Sequence, residues 1–170
     1  MALPAWNESG LLPPGTHRAD LPDIYDRFVL DAPGRDDREL LFSALTTHLR
    51  LIQRIIPAGV AWIDGSFATR REEPPEDVDV VVRPDDWTAV RSLSAVERAH
   101  LHALLTLQNV SIAEPEDLWF SRLQPVGGLI DAYLCWPGHE ATWHDAWSRV
   151  TDAKGVVIEG QIKGYAEVAW

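Results

Sequence analysis

Two short apolar segments at a fixed spacing do most to limit how this chain can fold. Gly59-Val-Ala-Trp-Ile-Asp64 and Asp77-Val-Asp-Val-Val-Val82 are rich in apolar and β-branched residues, a pattern typical of buried β-strands. A Gly65-Ser66 turn directly follows the first segment, ten residues ahead of the Asp-x-Asp pair that opens the second. The loop that joins the two predicted strands runs from the end of the first to the start of the second. We therefore expect the Gly-Ser turn and the aspartate pair to face one pocket.

The aspartate pair is arranged to act together. Residues i and i+2 of a strand project from the same face, so Asp77 and Asp79 point together while Val78 points to the opposite side. Mg²⁺ prefers one or two carboxylates, completed by water and by phosphate oxygens of a substrate. The backbone N–H groups and the hydroxyl of a Gly-Ser turn suit such a phosphate. The pattern therefore predicts a Mg²⁺ or Mn²⁺ site beside a phosphate-binding turn.

The spacing Gly65-Ser66-x(10)-Asp77-x-Asp79 resembles the signature of the nucleotidyltransferase superfamily, especially its minimal, single-domain members. Segments Leu11 to His17 and Trp62 to Ser66 further resemble a group of small bacterial and phage nucleotidyltransferase-like proteins. The resemblance implies an α/β (α+β) fold, with one mixed sheet packed by helices in a single domain. It also implies a third carboxylate on a later strand, and Asp131 takes that place inside the apolar run from Leu129 to Trp136.

The same resemblance implies a reaction and the residues for it. The reaction is metal-dependent transfer of a nucleoside monophosphate from an NTP, the co-substrate, to an acceptor hydroxyl. The expected catalytic residues and metal ligands are Asp77, Asp79 and Asp131. The expected nucleotide-binding residues are Gly65 and Ser66, which would bind the triphosphate, and Arg70 and Arg71. These two arginines either neutralise developing charge on the phosphates or belong to a mobile, solvated loop.

Two alternatives stay open. In the first, the pair is an ordinary solvated strand face; against it, two like charges about 4 Å apart repel by about 4 kcal/mol at an effective dielectric near 20, so converging carboxylates call for a cation. In the second, the protein is a non-catalytic antitoxin-like or regulatory protein that binds a partner or a nucleotide.

Net charge limits the choice of acceptor. The formal charge is −11 and no Lys/Arg-rich run is present, which disfavours an extended nucleic-acid surface because phosphate contacts need basic residues. The same field attracts a basic partner. We therefore expect a protein acceptor ahead of a small molecule, and RNA last. An RNA acceptor would need a local basic patch such as Arg70, Arg71 and Lys154.

The 170 residues suffice for one domain. Residues 1–35, rich in Pro, Gly and Asp, read as an N-terminal arm, and residues 36–170 as the nucleotidyltransferase-like domain. Helices are predicted from Asp36 or Asp37 through Ile55, from the Ser94 capping box through about Leu107, and from Glu140 through Val150. Two short β-prone segments, residues 156–158 and 165–170, indicate a hairpin or an added strand. Residues 114–119 fit no element clearly.

Single residues add smaller expectations. The single cysteine, Cys135, excludes an internal disulfide and fits a core position in a cytoplasmic protein. No apolar run approaches the roughly 20 residues that span a bilayer. His48 is expected to pack in the core, as are Trp62 and Trp136. Trp87 and Trp119 are expected near the pocket, where either ring could stack on a base.

Overall fold

The computed structural model of the protein describes residues 2–112, 118–152 and 155–170. The strands of the described part are β1 (Gly15–Arg18), β2 (Gly59–Asp64), β3 (Val78–Pro84), β4 (Leu107–Ile112), β5 (Leu118–Leu123), β6 (Ile130–Leu134), β7 (Arg149–Thr151), β8 (Val157–Ile162) and β9 (Gly164–Ala169). Its α-helices are α1 (Leu21–Tyr25), α2 (Arg35–Gln53), α3 (Trp87–Arg91), α4 (Ala95–Ala103) and α5 (Glu140–Ser148). A π-helical turn, Asp26–Leu30, continues α1.

A five-stranded mixed sheet forms the centre of the domain, in the order β1-β9-β2-β3-β6. The pairs β1/β9 and β3/β6 are parallel, and β2 is antiparallel to both β9 and β3. Strands β4 and β5 form a separate antiparallel pair, as do β7 and β8. The expected single domain with a mixed sheet and packing helices is confirmed, and β2 has its predicted bounds.

Helix α2 covers one face of the sheet. Its buried apolar residues include Leu41, Leu45, Leu49 and Ile52, which recur at helical spacing and therefore share one side. They join the inward-facing residues of β2, β3 and β6 in an aliphatic core. Complete burial of each such side chain contributes about 1.5–3 kcal/mol to stability. His48 lies in the same stripe, fully buried, with Nε2 2.8 Å from the Leu104 carbonyl oxygen, as expected.

Helix α5 covers the opposite face with a smaller, more aromatic cluster. Trp62, Val81, Trp147 and Tyr165 are buried there together with Cys135. Because side chains alternate along a strand, Asp79 shares this face with Val81, and Asp64 shares it with Trp62. The aspartates therefore lie on the α5 face, beyond the end of its aromatic cluster.

Several sequence predictions need correction. Residues 1–35 are not a separate arm: β1 is an edge strand of the central sheet, and Leu12 and Phe28 are buried in its core. Helix α4 ends at Ala103 rather than near Leu107, because the backbone N–H of Thr106 donates to the Ala132 carbonyl at 2.8 Å and the chain then enters β4.

Two further predictions concern the later part of the chain. Trp136 is 54 % exposed rather than in the core, because β6 ends at Leu134 and leaves the indole beyond the sheet. The last predicted segment is an added strand: β9 enters the central sheet between β1 and β2, while β8 pairs with β7. No helix in the described ranges is both long and apolar enough to cross a bilayer.

Candidate functional site

A row of aspartates crosses one end of the central sheet. Asp79 in β3 is directly opposite Asp64 in β2 on one side and Asp131 in β6 on the other. Asp77 lies two residues before Asp79 and so projects from the same face. The structure thus brings Asp77, Asp79 and Asp131 together, as predicted, and adds Asp64. Strand alternation could have identified Asp64, since it follows Trp62 by two residues.

Asp131 is buried and its carboxylate is fully engaged. It accepts hydrogen bonds from Thr106 Oγ1 at 2.6 Å, Arg122 Nη1 at 2.6 Å and Tyr133 Oη at 3.2 Å. Burial, together with the neighbouring charge of Asp131, raises the pKa of Tyr133 to about 12, so the phenol remains a donor at neutral pH. Three donors hold this carboxylate in one orientation.

Arg122 connects Asp131 to Asp77. Its Nη2 lies 3.7 Å from Asp77 Oδ2, while its Nη1 binds Asp131. Gln124 Nε2 also donates to Asp77 Oδ2, at 2.5 Å. Arg122 belongs to β5 and is 44 % exposed, so its guanidinium bridges the two carboxylates from the solvent side. The Arg122 guanidinium thus lies where a cation shared by Asp77 and Asp131 would lie.

Asp64 has a lysine partner at the other end of the row. Lys163 Nζ forms an ion pair with Asp64 Oδ1, and both side chains are almost completely buried. Burial raises the pKa of Asp64 to about 6, while the Lys163 charge opposes that rise. The Asp64 carboxylate is therefore largely ionised at neutral pH, and Lys163 lines the same cavity as the central aspartate.

Asp79, in the centre, makes no hydrogen bond or ion pair with any residue that the structure describes. Burial, followed by the charges of Asp77, Asp64 and Asp131, raises its pKa to about 7. Each neighbouring aspartate has a donor of its own, so the uncompensated charge is concentrated on Asp79. A cation placed against this carboxylate would remove that electrostatic cost.

The row fits a divalent cation in its donor chemistry. Carboxylate oxygens are the ligands that Mg²⁺ and Mn²⁺ take from proteins, and Asp79 has both oxygens free of described partners. The described residues contain no cluster of three or more His, Cys, Asp or Glu side chains arranged as a ready metal cage. Mg²⁺ needs no such cage, since it usually keeps waters and takes substrate phosphate oxygens.

The Gly-Ser turn lies against the same aspartate. Gly65 has φ 78°, and a Cβ atom there would overlap the Asp79 carboxylate. Only glycine therefore permits this approach, both by conformation and by space. Ser66 begins a 3₁₀ turn, Ser66–Ala68, directly after it.

Buried Arg38 of α2 holds the turn in place. Its guanidinium donates to the carbonyl oxygens of Phe67 at 2.8 Å, Thr69 at 2.9 Å and Phe28 at 2.8 Å, and its Nε to that of Pro33 at 2.7 Å. Burial lowers the Arg38 pKa to about 10, which still leaves it charged at neutral pH. No sequence pattern revealed this role, because the bonded carbonyls lie in three separate segments.

A cavity of about 280 Å³ opens over the turn and Asp79. Gly65, Ser66 and Asp79 line it, together with three basic side chains, Arg71, Arg149 and Lys163. Arg71 is fixed in part by donating from Nη2 to the Thr151 carbonyl oxygen at 2.8 Å. Basic groups beside an isolated carboxylate make the cavity suitable for a phosphate chain that arrives with a metal ion.

Arg70 does not share this cavity, contrary to expectation. An isolated bridge between Leu11 and Thr69, and a hydrogen bond from Arg70 N to Gly10 O at 2.8 Å, hold the backbone against the N-terminal segment. The Arg70 side chain is accordingly turned away, and its Nε donates to the Asp31 carbonyl oxygen at 3.2 Å. Lys154, the third member of the proposed basic patch, lies outside the described residues.

The comparisons with known proteins give a family without a function. No curated protein and no solved structure matches the chain. Residues 4–168 match a family described as being of unknown function (DUF6932), and because the match covers nearly the whole chain, the protein belongs to that family.

Proposed function

We propose that the protein is a metal-dependent nucleotidyltransferase that moves a nucleoside monophosphate from an NTP to an acceptor hydroxyl, in the cytoplasm. The observation that carries the proposal is the Asp79 carboxylate, which has no hydrogen bond or ion pair with a described residue and lies between Asp77, Asp64 and Asp131, against the Gly65-Ser66 turn. Three neighbouring carboxylates repel the Asp79 charge, and a bound cation would relieve that repulsion.

Asp77 and Asp79 would hold the metal ions, and Asp131 would complete the ligand set. When bound, Mg²⁺ or Mn²⁺ would neutralise phosphate charge and lower the pKa of an oxygen attached to it. Gly65 N–H, the Ser66 hydroxyl, Arg71 and Lys163 would bind the triphosphate in the cavity above the turn. They would align the α-phosphate with the acceptor and attract the departing pyrophosphate.

Asp131 would act on the acceptor side. Its three donors fix its orientation, and release of Arg122 would free Oδ2 to accept a proton from the acceptor hydroxyl. The new bond joins that hydroxyl oxygen to the α-phosphorus, and the bond to the bridging oxygen of pyrophosphate breaks. Arg122 would then be available to neutralise charge on the phosphates.

The second candidate is a non-catalytic antitoxin-like or regulatory protein. The fully satisfied state of Asp131 and Asp77 favours it, because Arg122 already neutralises both without any metal ion. The two proposals differ over Arg122: catalysis requires it to move, while a regulatory protein can keep it.

The test is incubation with each α-³²P-labelled NTP, Mg²⁺ or Mn²⁺, and a cell lysate, with a D77N/D79N variant as the control. Transfer of label by the parent protein but not by the D77N/D79N variant supports catalysis. Label lost to protease and not to nuclease identifies the protein acceptor expected from net charge, and the reverse identifies RNA. Label that resists both identifies a small molecule. No transfer with any NTP, alongside normal folding, refutes the catalytic proposal.

A further inference from the structure

A larger cavity lies along the free edge of β6, on the far side of Asp131 from the Gly-Ser turn. Its volume is about 610 Å³, enough for a small organic molecule. Thr106 and Tyr133 line it, and both also donate to the Asp131 carboxylate. One end of the cavity therefore abuts the row of aspartates.

Aromatic side chains form much of its wall. Trp87 and Trp136 stack with ring centroids 4.6 Å apart and planes inclined by 22°. Trp143 packs against Tyr133, with centroids 5.5 Å apart. Trp136 is 54 % exposed, although an indole of this size gains by burial. A planar ring entering the cavity would cover the exposed part of this wall.

The charged side chains that line the cavity are arginines. Among the residues that the structure describes, the lining contains Arg91, Arg98, His102 and His139, and no Asp or Glu. This is a strong local reversal in a chain with 26 acidic and 15 Lys or Arg residues. Arg91 and Arg98 form no ion pair with any described carboxylate, so both cations are available to a ligand.

We propose that this cavity binds a small planar aromatic molecule that carries a negative charge. Aromatic walls provide stacking, the two arginines provide charge complementarity, and guanidinium groups also bind carboxylate or sulfonate oxygens in pairs. If the proposed transfer reaction is correct and its acceptor is a small molecule rather than the protein that net charge favours, the ligand is that acceptor, because Thr106 and Tyr133 place the inner end of the cavity beside Asp131. The acceptor would then be a hydroxylated aromatic anion.

The binding site is tested without any reaction. The probes are 8-anilinonaphthalene-1-sulfonate and its uncharged analogue N-phenyl-1-naphthylamine, titrated by fluorescence. We expect the sulfonate to bind more tightly, and to weaken about tenfold in the R91Q/R98Q variant, as loss of two exposed charge contacts predicts. The uncharged probe should be unaffected by that change. W136A should weaken both probes, because stacking does not depend on charge.

R50Q is the matched control, since Arg50 is an exposed arginine of α2 outside the cavity lining. Equal binding of both probes, or equal weakening of the sulfonate in R50Q and R91Q/R98Q, would overturn the proposed site. Circular dichroism of each variant checks that the fold is retained, and raised NaCl should weaken sulfonate binding in the parent protein and in R50Q more than in R91Q/R98Q.

Binding and catalysis can fail separately. The D77N/D79N variant should bind the sulfonate as well as the parent protein does, because neither aspartate lines the cavity. The acceptor role is then tested with 4-hydroxybenzoate and labelled NTP. Labelling of 4-hydroxybenzoate that the sulfonate probe inhibits supports the acceptor role. Normal probe binding without labelling of any acceptor would refute the transfer reaction and leave the aromatic-anion site in place.

Discussion

The two faces of the central sheet are built for different purposes. Under α2, the face is mostly aliphatic, and the buried Arg38 side chain donates four hydrogen bonds to backbone carbonyl oxygens. Under α5, the face changes along its length from an aromatic cluster to a row of four aspartates, one of which has no hydrogen bond or ion pair with a described residue. We infer that the face under α2 supplies most of the stability of the fold. This allows the face under α5 to hold aspartates that repel one another.

Arg38→Met tests the stable face and should have the largest effect. The change leaves several buried carbonyl oxygens without donors, and we expect the free energy of unfolding to fall by about 3–5 kcal/mol. Urea denaturation measures this. Arg35→Met on the same helix is the control, since Arg35 is exposed and forms a surface ion pair with Glu39. Similar losses in the two variants would show that the buried guanidinium is not a major support.

The ligand response tests the other face. Mg-NTP at a hundredfold excess over its dissociation constant should stabilise the protein by about 2.7 kcal/mol. D77N/D79N should lose that gain, since the metal ligands are gone, while Asp85→Asn, an exposed aspartate outside the row, should retain it. Thermal unfolding with and without Mg-NTP is the measurement. An unchanged response in D77N/D79N would place nucleotide binding elsewhere.

Asp79→Asn alone should stabilise the protein without ligands, by on the order of 1–2 kcal/mol at pH 8. The folded-state pKa is raised to about 7, so ionised Asp79 opposes folding increasingly as pH rises from about 4 to 7. The benefit of the amide should therefore be larger at pH 8 than at pH 5. Chemical denaturation at both pH values tests this, and a destabilised variant at pH 8 would contradict the repulsion.

Replacing His48, on the α2 face, should have the smallest effect on the free energy of unfolding. Burial lowers its pKa, although the hydrogen bond to the Leu104 carbonyl opposes that change, and its Nδ1 has no described partner. The neutral ring therefore contributes stability that is complete above about pH 6.5 and is lost as pH falls through the lowered folded-state value.

Replacing His48 by Gln should reduce this acid sensitivity, because the amide can still donate but does not titrate. His100→Gln is the control, since His100 is exposed on α4. Unfolding free energies between pH 7.5 and 5 provide the comparison. Identical pH profiles for the parent protein and H48Q would show that His48 carries no such dependence.

The sequence predicted those parts of the site that lie within single elements. The expected strand alternation placed Asp77 and Asp79 on one face. The resemblance to the nucleotidyltransferase superfamily implied a third carboxylate on a later strand, which led to Asp131. The partners of these aspartates could not be predicted, because Arg122, Thr106 and Lys163 reach the site from different segments through tertiary contacts. The place of the Arg70 side chain could not be predicted for the same reason. Arg71, its neighbour in sequence, reaches the cavity, but contacts with Gly10 and Asp31 turn Arg70 away.

The place of β9 between β1 and β2 has a consequence for folding kinetics. The hydrogen bond from Thr16 Oγ1 to Tyr165 Oη joins positions 149 residues apart, and the β1/β9 pair lies in the same region. Until residues near 165 are available, β1 has no neighbour and one edge of β2 is open to other chains. Assembly of the sheet must therefore close a very long loop, which slows folding and makes a truncated chain prone to aggregation.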